Sequence, residues 1–134
     1  MNKQVVSTSL APSALGPYSQ GIRVGNLLFV SGQIAIDPST GKLIESKTIQ
    51  DQTRRVLQNI IAIVIAAGGS VDNIVKTTVF LRDMAEFAEM NAVYADFFRL
   101  APPARATIEA ARLPRDVSVE IDCIAVLRNS GTDT

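Results

Sequence analysis

The stretch Val117-Ser118-Val119-Glu120-Ile121-Asp122-Cys123-Ile124-Ala125-Val126-Leu127 decides the fold. Alternate side chains of a strand point to opposite faces of its sheet. Val117, Val119, Ile121, Cys123, Ala125 and Leu127 make one wholly apolar face, which predicts packing against helices. The other face carries Ser118, Glu120 and Asp122, then Ile124 and Val126, and is too apolar at one end for open water. Residues 104–110 alternate in the same way, with Ala104, Ala106, Ile108 and Ala110 on one side and Arg105, Thr107 and Glu109 on the other.

Working back from this strand, Leu113-Pro114-Arg115-Asp116 is a turn, and Pro102-Pro103 ends any preceding helix. A helix is predicted over residues 84–99, capped by Asp83 with Glu86 as its box partner, burying Phe87, Met90, Tyr94, Phe97 and Phe98. A strand is predicted over 73–81, with Val75, Thr77, Val79 and Leu81 inward and Ile74 and Phe80 outward. Residues 49–67 repeat Val56, Leu57, Ile60, Ile63, Val64 and Ala67 at helical spacing, between a Thr48 cap and a Gly68-Gly69 stop. Gly21–Val24 and Leu27–Gln33 flank Gly25-Asn26 as a tight hairpin, and the segment from Asp37 to Gly41 is a loop of turn formers. The order is β-β-α-β-α-β-β, an α+β fold with two helices on one sheet face and a single domain over 1–134, its polar tail mobile. Two helices cover one side only, so the second side is expected to meet another subunit.

Composition narrows the chemistry. Of 134 residues, 41 are Val, Ile, Leu or Phe, enough for one compact core. There is no histidine, which excludes Ser-His-Asp triads, Cys-His pairs and His-ligated zinc within the chain. The single cysteine, Cys123, excludes an intrachain disulfide and a thiolate metal cluster, and its core-facing position suits a small hydrophobe better than a nucleophile. Thirteen basic and thirteen acidic residues give zero formal charge, so the basic patch of a nucleic-acid binder is not expected. Residues 1–16 lack the apolar core of a secretory signal, and the longest apolar run, 60–67, is too short to span a bilayer. A cytoplasmic protein without membrane partners is expected.

Six residues are candidates for a site. Arg105 follows Pro-Pro-Ala on a strand of small neighbours, and a guanidinium grips a carboxylate through two parallel hydrogen bonds. The competing role for Arg105 is an ion pair with Glu109 or with an interface carboxylate. Glu120, opposite the core among apolar neighbours, suits a group that orients or deprotonates water, or else an interface salt bridge. Tyr18 either closes over a site or staples its loop to the sheet. Asn91 shares a helical face with Phe87 and Tyr94 and needs a partner, in a site or on a loop backbone. Gly32 marks a bulge or a close approach, and Thr107 offers a hydroxyl and an amide beside Arg105.

Gly16-Pro17-Tyr18-Ser19-Gln20-Gly21 and the run from Gly25 to Ile34 resemble the opening of the reactive intermediate deaminase A (RidA, or YjgF/UK114) family. The resemblance continues through Ala67-Gly68-Gly69 and residues 75–81. It is most specific in Pro103-Ala104-Arg105-Ala106-Thr107, Ala111-Arg112-Leu113-Pro114 and Val119-Glu120-Ile121, and covers residues 4–127. It implies a chorismate-mutase-like homotrimer with a central barrel and clefts between subunits. It also implies hydrolysis of enamine/imine intermediates such as 2-aminoacrylate and 2-aminocrotonate, released by pyridoxal-phosphate-dependent dehydratases, to 2-oxo acids and ammonia. No cofactor and no metal are implied. By the same resemblance Arg105 holds the substrate carboxylate, Glu120 attends the attacking water, and Tyr18, Gly32, Asn91 and Thr107 line or support the cleft. The connection Arg99-Leu100-Ala101-Pro102 is shorter than in some relatives, which bears on the cleft rim. The alternatives are a non-catalytic protein that binds small 2-oxo acids, an RNA-cleaving protein, which the balanced charge opposes, and a holdase.

Overall fold

The computed structural model describes residues 2–128, and the tail expected to be mobile, 129–134, lies outside them. The chain forms β1 (Lys3–Val6), β2 (Gly21–Val24), β3 (Leu27–Gln33), β4 (Ile36–Asp37), β5 (Lys42–Leu43), α1 (Ile49–Ala66), β6 (Ile74–Leu81), α2 (Phe87–Phe97), β7 (Ala104–Glu109) and β8 (Val119–Val126). Six strands make one sheet in the order β1-β2-β3-β8-β6-β7, while β4 and β5 form a separate small hairpin. Neighbours are antiparallel except β6 and β7, which α2 connects in parallel. The predicted α+β order with two helices is therefore present, with three short strands added.

Local chemistry explains the elements. Thr48 accepts the Asp51 N–H at 3.2 Å and opens α1. Val56, Leu57, Ile60, Ile63 and Val64 are each fully buried on its inner stripe, each contributing about 1.5–3 kcal/mol of transfer free energy. They meet Val119, Ile121, Cys123 and Ala125 of β8, so the apolar face of the last strand lies beneath the helices. α2 differs from expectation at its start. Asp83 accepts the Ala85 N–H at 2.9 Å, two residues on, and the chain first makes a tight turn over Met84–Glu86. The helix proper begins at Phe87 and ends at Phe97, and its buried stripe includes Val93 as well as Met90 and Tyr94.

One parity prediction is reversed. The register between β6 and β8 slips between Ile74 and Lys76, so two steps on β6 oppose one on β8. Ile74 consequently enters the core at 3 % exposure, and Val75, expected inward, is 43 % exposed. A second slip lies between Val30 and Gln33 on β3 and brackets Gly32.

Register fixes the two faces. Val30, Cys123, Thr77 and Arg105 stand in one row across β3, β8, β6 and β7, and this row faces the helices. Glu120, Phe80 and Ile108 stand in another row on the helix-free face. That face also shows Leu27, Phe29 and Val126 to solvent.

The end of α1 yields a stability prediction. Gly68, at φ 95°, makes the left-handed stop, and the Gly69 N–H returns to the Val64 carbonyl at 2.9 Å. A Cβ on Gly69 would lie 2.6 Å from Leu127 Cδ2 and 3.0 Å from Val64 Cγ1, both buried side chains. Gly69→Ala is expected to cost about 1–3 kcal/mol by overpacking, read as a lowered melting temperature.

Candidate functional site

The double proline before β7 delivers Arg105 to the sheet edge, in register with Thr77. Its guanidinium carbon lies 4.8 Å from the centroid of the Tyr94 ring and 5.5 Å from that of Phe87. Arg105 Nη1 donates to Asn91 Oδ1 at 2.7 Å. An arginine can only donate, so the Asn91 oxygen must face it, leaving the Asn91 amide nitrogen as a second donor. Among the described residues no carboxylate lies within ion-pair distance of Arg105. Glu109, its candidate partner by sequence, instead accepts the Met84 N–H at 2.8 Å. Asn91 likewise serves Arg105 rather than a loop backbone. Two residues along β7, the Thr107 hydroxyl is buried without a hydrogen-bond partner.

These groups open on a cavity of about 480 Å³, lined by Asn91, Tyr94, Ala95, Phe98, Pro103 and Arg105. It offers an uncompensated cation, a neutral donor and apolar walls, the elements of a site for a small carboxylate with an apolar body.

Glu120 lies elsewhere. It lines a second cavity of about 520 Å³ with Leu15, Tyr18, Gly32, Pro114 and Arg115. Its carboxyl packs on Gly32, where a Cβ would stand 3.1 Å from the Glu120 carboxyl carbon and closer still to its Oε2. Glu120 has no hydrogen-bond or ion-pair partner among the described residues. Burial pushes its carboxyl above the ordinary glutamate value, and the charge of Asp122 adds to the shift. Tyr18 is 52 % exposed at the mouth. Cys123 is buried, and burial raises its thiol to about 12, which removes it as a nucleophile.

Arg105 and Glu120 thus face opposite sides of one sheet and line separate cavities in one protomer. Arg105, Asn91 and Thr107 lie at one place, with Thr107 beside rather than on the cavity wall, and Tyr18, Gly32 and Glu120 at the other. The single cleft on the helix-free face suggested by strand parity does not hold all six. The reason is the row of Thr77, which turns Arg105 toward α2.

Three contributors were not assigned these roles in the sequence. Gln20 is 4 % exposed, and its side chain accepts the Thr8 N–H at 2.7 Å and donates to the carbonyls of Thr8, Ala11 and Pro12. This ties down the loop that bears Leu15 and Tyr18; its only sequence signal is its place in the Gly16–Gly21 motif. Arg115 and Asp116 both adopt left-handed backbone, at φ 55° and 56°, which brings Arg115 to the rim of the Glu120 cavity. Tyr94 reads as a core residue, and its ring also lies under Arg105.

The Endoribonuclease L-PSP family profile matches residues 8–127. A RutC family protein of Pyrococcus horikoshii is 53 % identical over 92 % of this chain and 97 % of its own length. The chloroplastic Reactive Intermediate Deaminase A of Arabidopsis thaliana is 46 % identical over 95 % of this chain and 67 % of its own. Among solved structures, Escherichia coli TdcF with bound serine superposes with a TM-score of 0.86 at 47 % identity, covering 92 % of this chain and 98 % of that one.

Proposed function

The chain belongs to the Endoribonuclease L-PSP family, whose members include reactive intermediate deaminases, and from that premise we propose that it hydrolyses 2-imino acids to 2-oxo acids and ammonia. The observation that carries this reading is Arg105: a partly buried guanidinium held by a neutral amide and two rings, with no carboxylate of its own chain. Such a group takes its counter-charge from a ligand.

The proposed substrates are small, 2-aminoacrylate and 2-aminocrotonate after tautomerisation to their imines. Arg105 and the Asn91 amide hold the carboxylate, with Thr107 as a supporting hydroxyl. Water adds to the imine carbon, its oxygen forming the new bond while a proton reaches nitrogen. The carbinolamine then expels ammonia and leaves the 2-oxo acid. No protein nucleophile, metal or cofactor enters these steps, and a chain without histidine can supply the rest by orientation. Glu120 positions the water, and Tyr18 and Gly32 shape its side of the site.

Because the two groups line different cavities of one protomer, the proposal requires Arg105 of one copy to meet Glu120 of a neighbour. The exposed Leu27, Phe29, Ile108 and Val126 on the helix-free face favour burial of that face against further copies. We assign the assembly as a homotrimer around a central barrel, chorismate-mutase-like, with the sites between subunits. The balanced charge argues against an RNA substrate, despite the wording of the family description.

The test couples a serine/threonine dehydratase to this protein and follows decay of the imine. Acceleration by the wild type is expected, and its absence would end the deaminase reading. Glu120→Gln is expected to lower turnover by about 10²-fold while 2-oxo acid binding persists. Unchanged turnover would instead take water positioning away from Glu120. The pH profile gives the sign independently. Glu120 must be ionised to work, so activity rises with pH through a value above the ordinary 4.5, and Glu120→Gln removes that limb. For stability the sense is opposite: the buried carboxyl favours the folded state most when protonated, and this contribution fades as pH rises through its raised pKa.

A further inference from the structure

We infer that Tyr94, pinned by Thr77, is a positioning residue that sets the direction of the Arg105 guanidinium and preserves its charge for an anionic ligand. The inference rests on the carboxylate reading of Arg105 and adds to it the residues that make the grip selective.

Arg105 sits on the edge strand β7, and a long cationic side chain there would ordinarily sweep through solvent. Its single printed hydrogen bond, to Asn91, fixes one nitrogen and leaves the plane free to swing. The Tyr94 ring face, 4.8 Å from the guanidinium carbon, supplies the missing restraint, and Phe87 stands farther off at 5.5 Å. Tyr94 itself cannot yield. It is 5 % exposed, its hydroxyl lies 2.6 Å from Thr77 Oγ1, and Thr77 is 1 % exposed. On its other flank Phe98 packs with ring centroids 4.6 Å apart. Burial also raises the Tyr94 phenol above its ordinary value, which keeps it neutral.

The chemistry of this support matters. A carboxylate holding Arg105 would neutralise it and compete with the substrate. A ring face attracts a cation through its quadrupole, strips water from one side and leaves the full positive charge. The Asn91 oxygen acts likewise, as a neutral acceptor. Tyr94 and Asn91 thereby orient the guanidinium without satisfying its charge, so the site favours a carboxylate over a neutral group of the same shape.

Calorimetry with two probes tests this: 2-oxobutanoate and its neutral analogue 2-oxobutanamide, titrated into the assembled protein. Arg105→Ala is expected to lose 2-oxobutanoate binding; retention would overturn the carboxylate reading, and this inference with it. Given that loss, Tyr94→Leu is expected to weaken 2-oxobutanoate about tenfold and 2-oxobutanamide less than about twofold. A general packing defect would weaken both alike, and that outcome overturns the positioning role, as does unchanged 2-oxobutanoate binding. The Arg105 Nε–H resonance in nitrogen-15-labelled protein should also leave its ring-shifted position in Tyr94→Leu; an unmoved resonance counts against the inference. Should Tyr94→Leu not fold, Thr77→Val keeps the ring and removes only its pin, with an expected weakening of about threefold for 2-oxobutanoate alone. Wild-type binding by Thr77→Val would then refute the pinning.

Discussion

Arg105→Ala is expected to lower the efficiency of imine hydrolysis by about 10²–10⁴-fold, the loss of one charge-assisted bidentate grip in a partly desolvated site. The melting temperature should fall by no more than about 4 °C, because only its hydrogen bond to Asn91 and its contacts with two rings disappear. The asymmetry follows from what Arg105 lacks. Among the described residues it has no carboxylate partner, so its removal strands no buried anion. Arg105→Lys separates charge from shape. The ammonium keeps the charge but cannot make two parallel hydrogen bonds, and it forfeits the flat contact with Tyr94. About a tenfold recovery over Arg105→Ala is expected, well short of the parent. Steady-state kinetics and thermal melts on the three proteins decide the matter. A large loss of stability with little loss of activity would make Arg105 structural.

Which parts of this arrangement the sequence discloses depends on how local their causes are. The hairpin of β2 and β3 is legible to the residue because Gly25-Asn26 determines it within two positions. The inward face of β8 is legible because its alternation is unbroken over eleven residues. β1 escapes such reading: it is a short, exposed edge strand with no alternation to reveal it, and pairing with β2 alone defines it. The slip on β6 is likewise a property of pairing, invisible in a run that reads equally well with Ile74 or Val75 inward.

The site obeys the same rule. Alternation shows that Arg105, Thr107 and Glu109 share a face, but not that the face meets α2; only the register with Thr77 and Cys123 establishes that. Asn91 and Tyr94 are three residues apart on one helical face, a spacing visible in sequence, yet the arginine between them comes from a strand beyond the next loop. Separation of Glu120 from Arg105 is legible in neither residue. It emerges from the order of three strands.

Gly32→Ala is expected to abolish most of the activity while barely changing stability. Gly32 has an ordinary backbone angle, so alanine brings no conformational strain of the left-handed kind. The added methyl would collide with the Glu120 carboxyl, 3.1 Å from its carbon and 3.3 Å from Cγ. The end of a glutamate side chain can move away by rotation, and the fold loses little by it, about 1 kcal/mol for an off-rotamer torsion. The reaction does not share this tolerance, since a displacement of about 1 Å at a group that positions water costs about 10²-fold in rate. The bulge at Gly32 and the unpartnered Glu120 therefore act together: one supplies space, the other a carboxylate with no competing bond to hold it. Thermal melts, 2-oxobutanoate binding and turnover of Gly32→Ala give three readings. Stability and binding near the parent with turnover reduced about a hundredfold would match loss of the positioned water. Turnover equal to the parent would show that the carboxylate resting on Gly32 is not the group that serves the reaction.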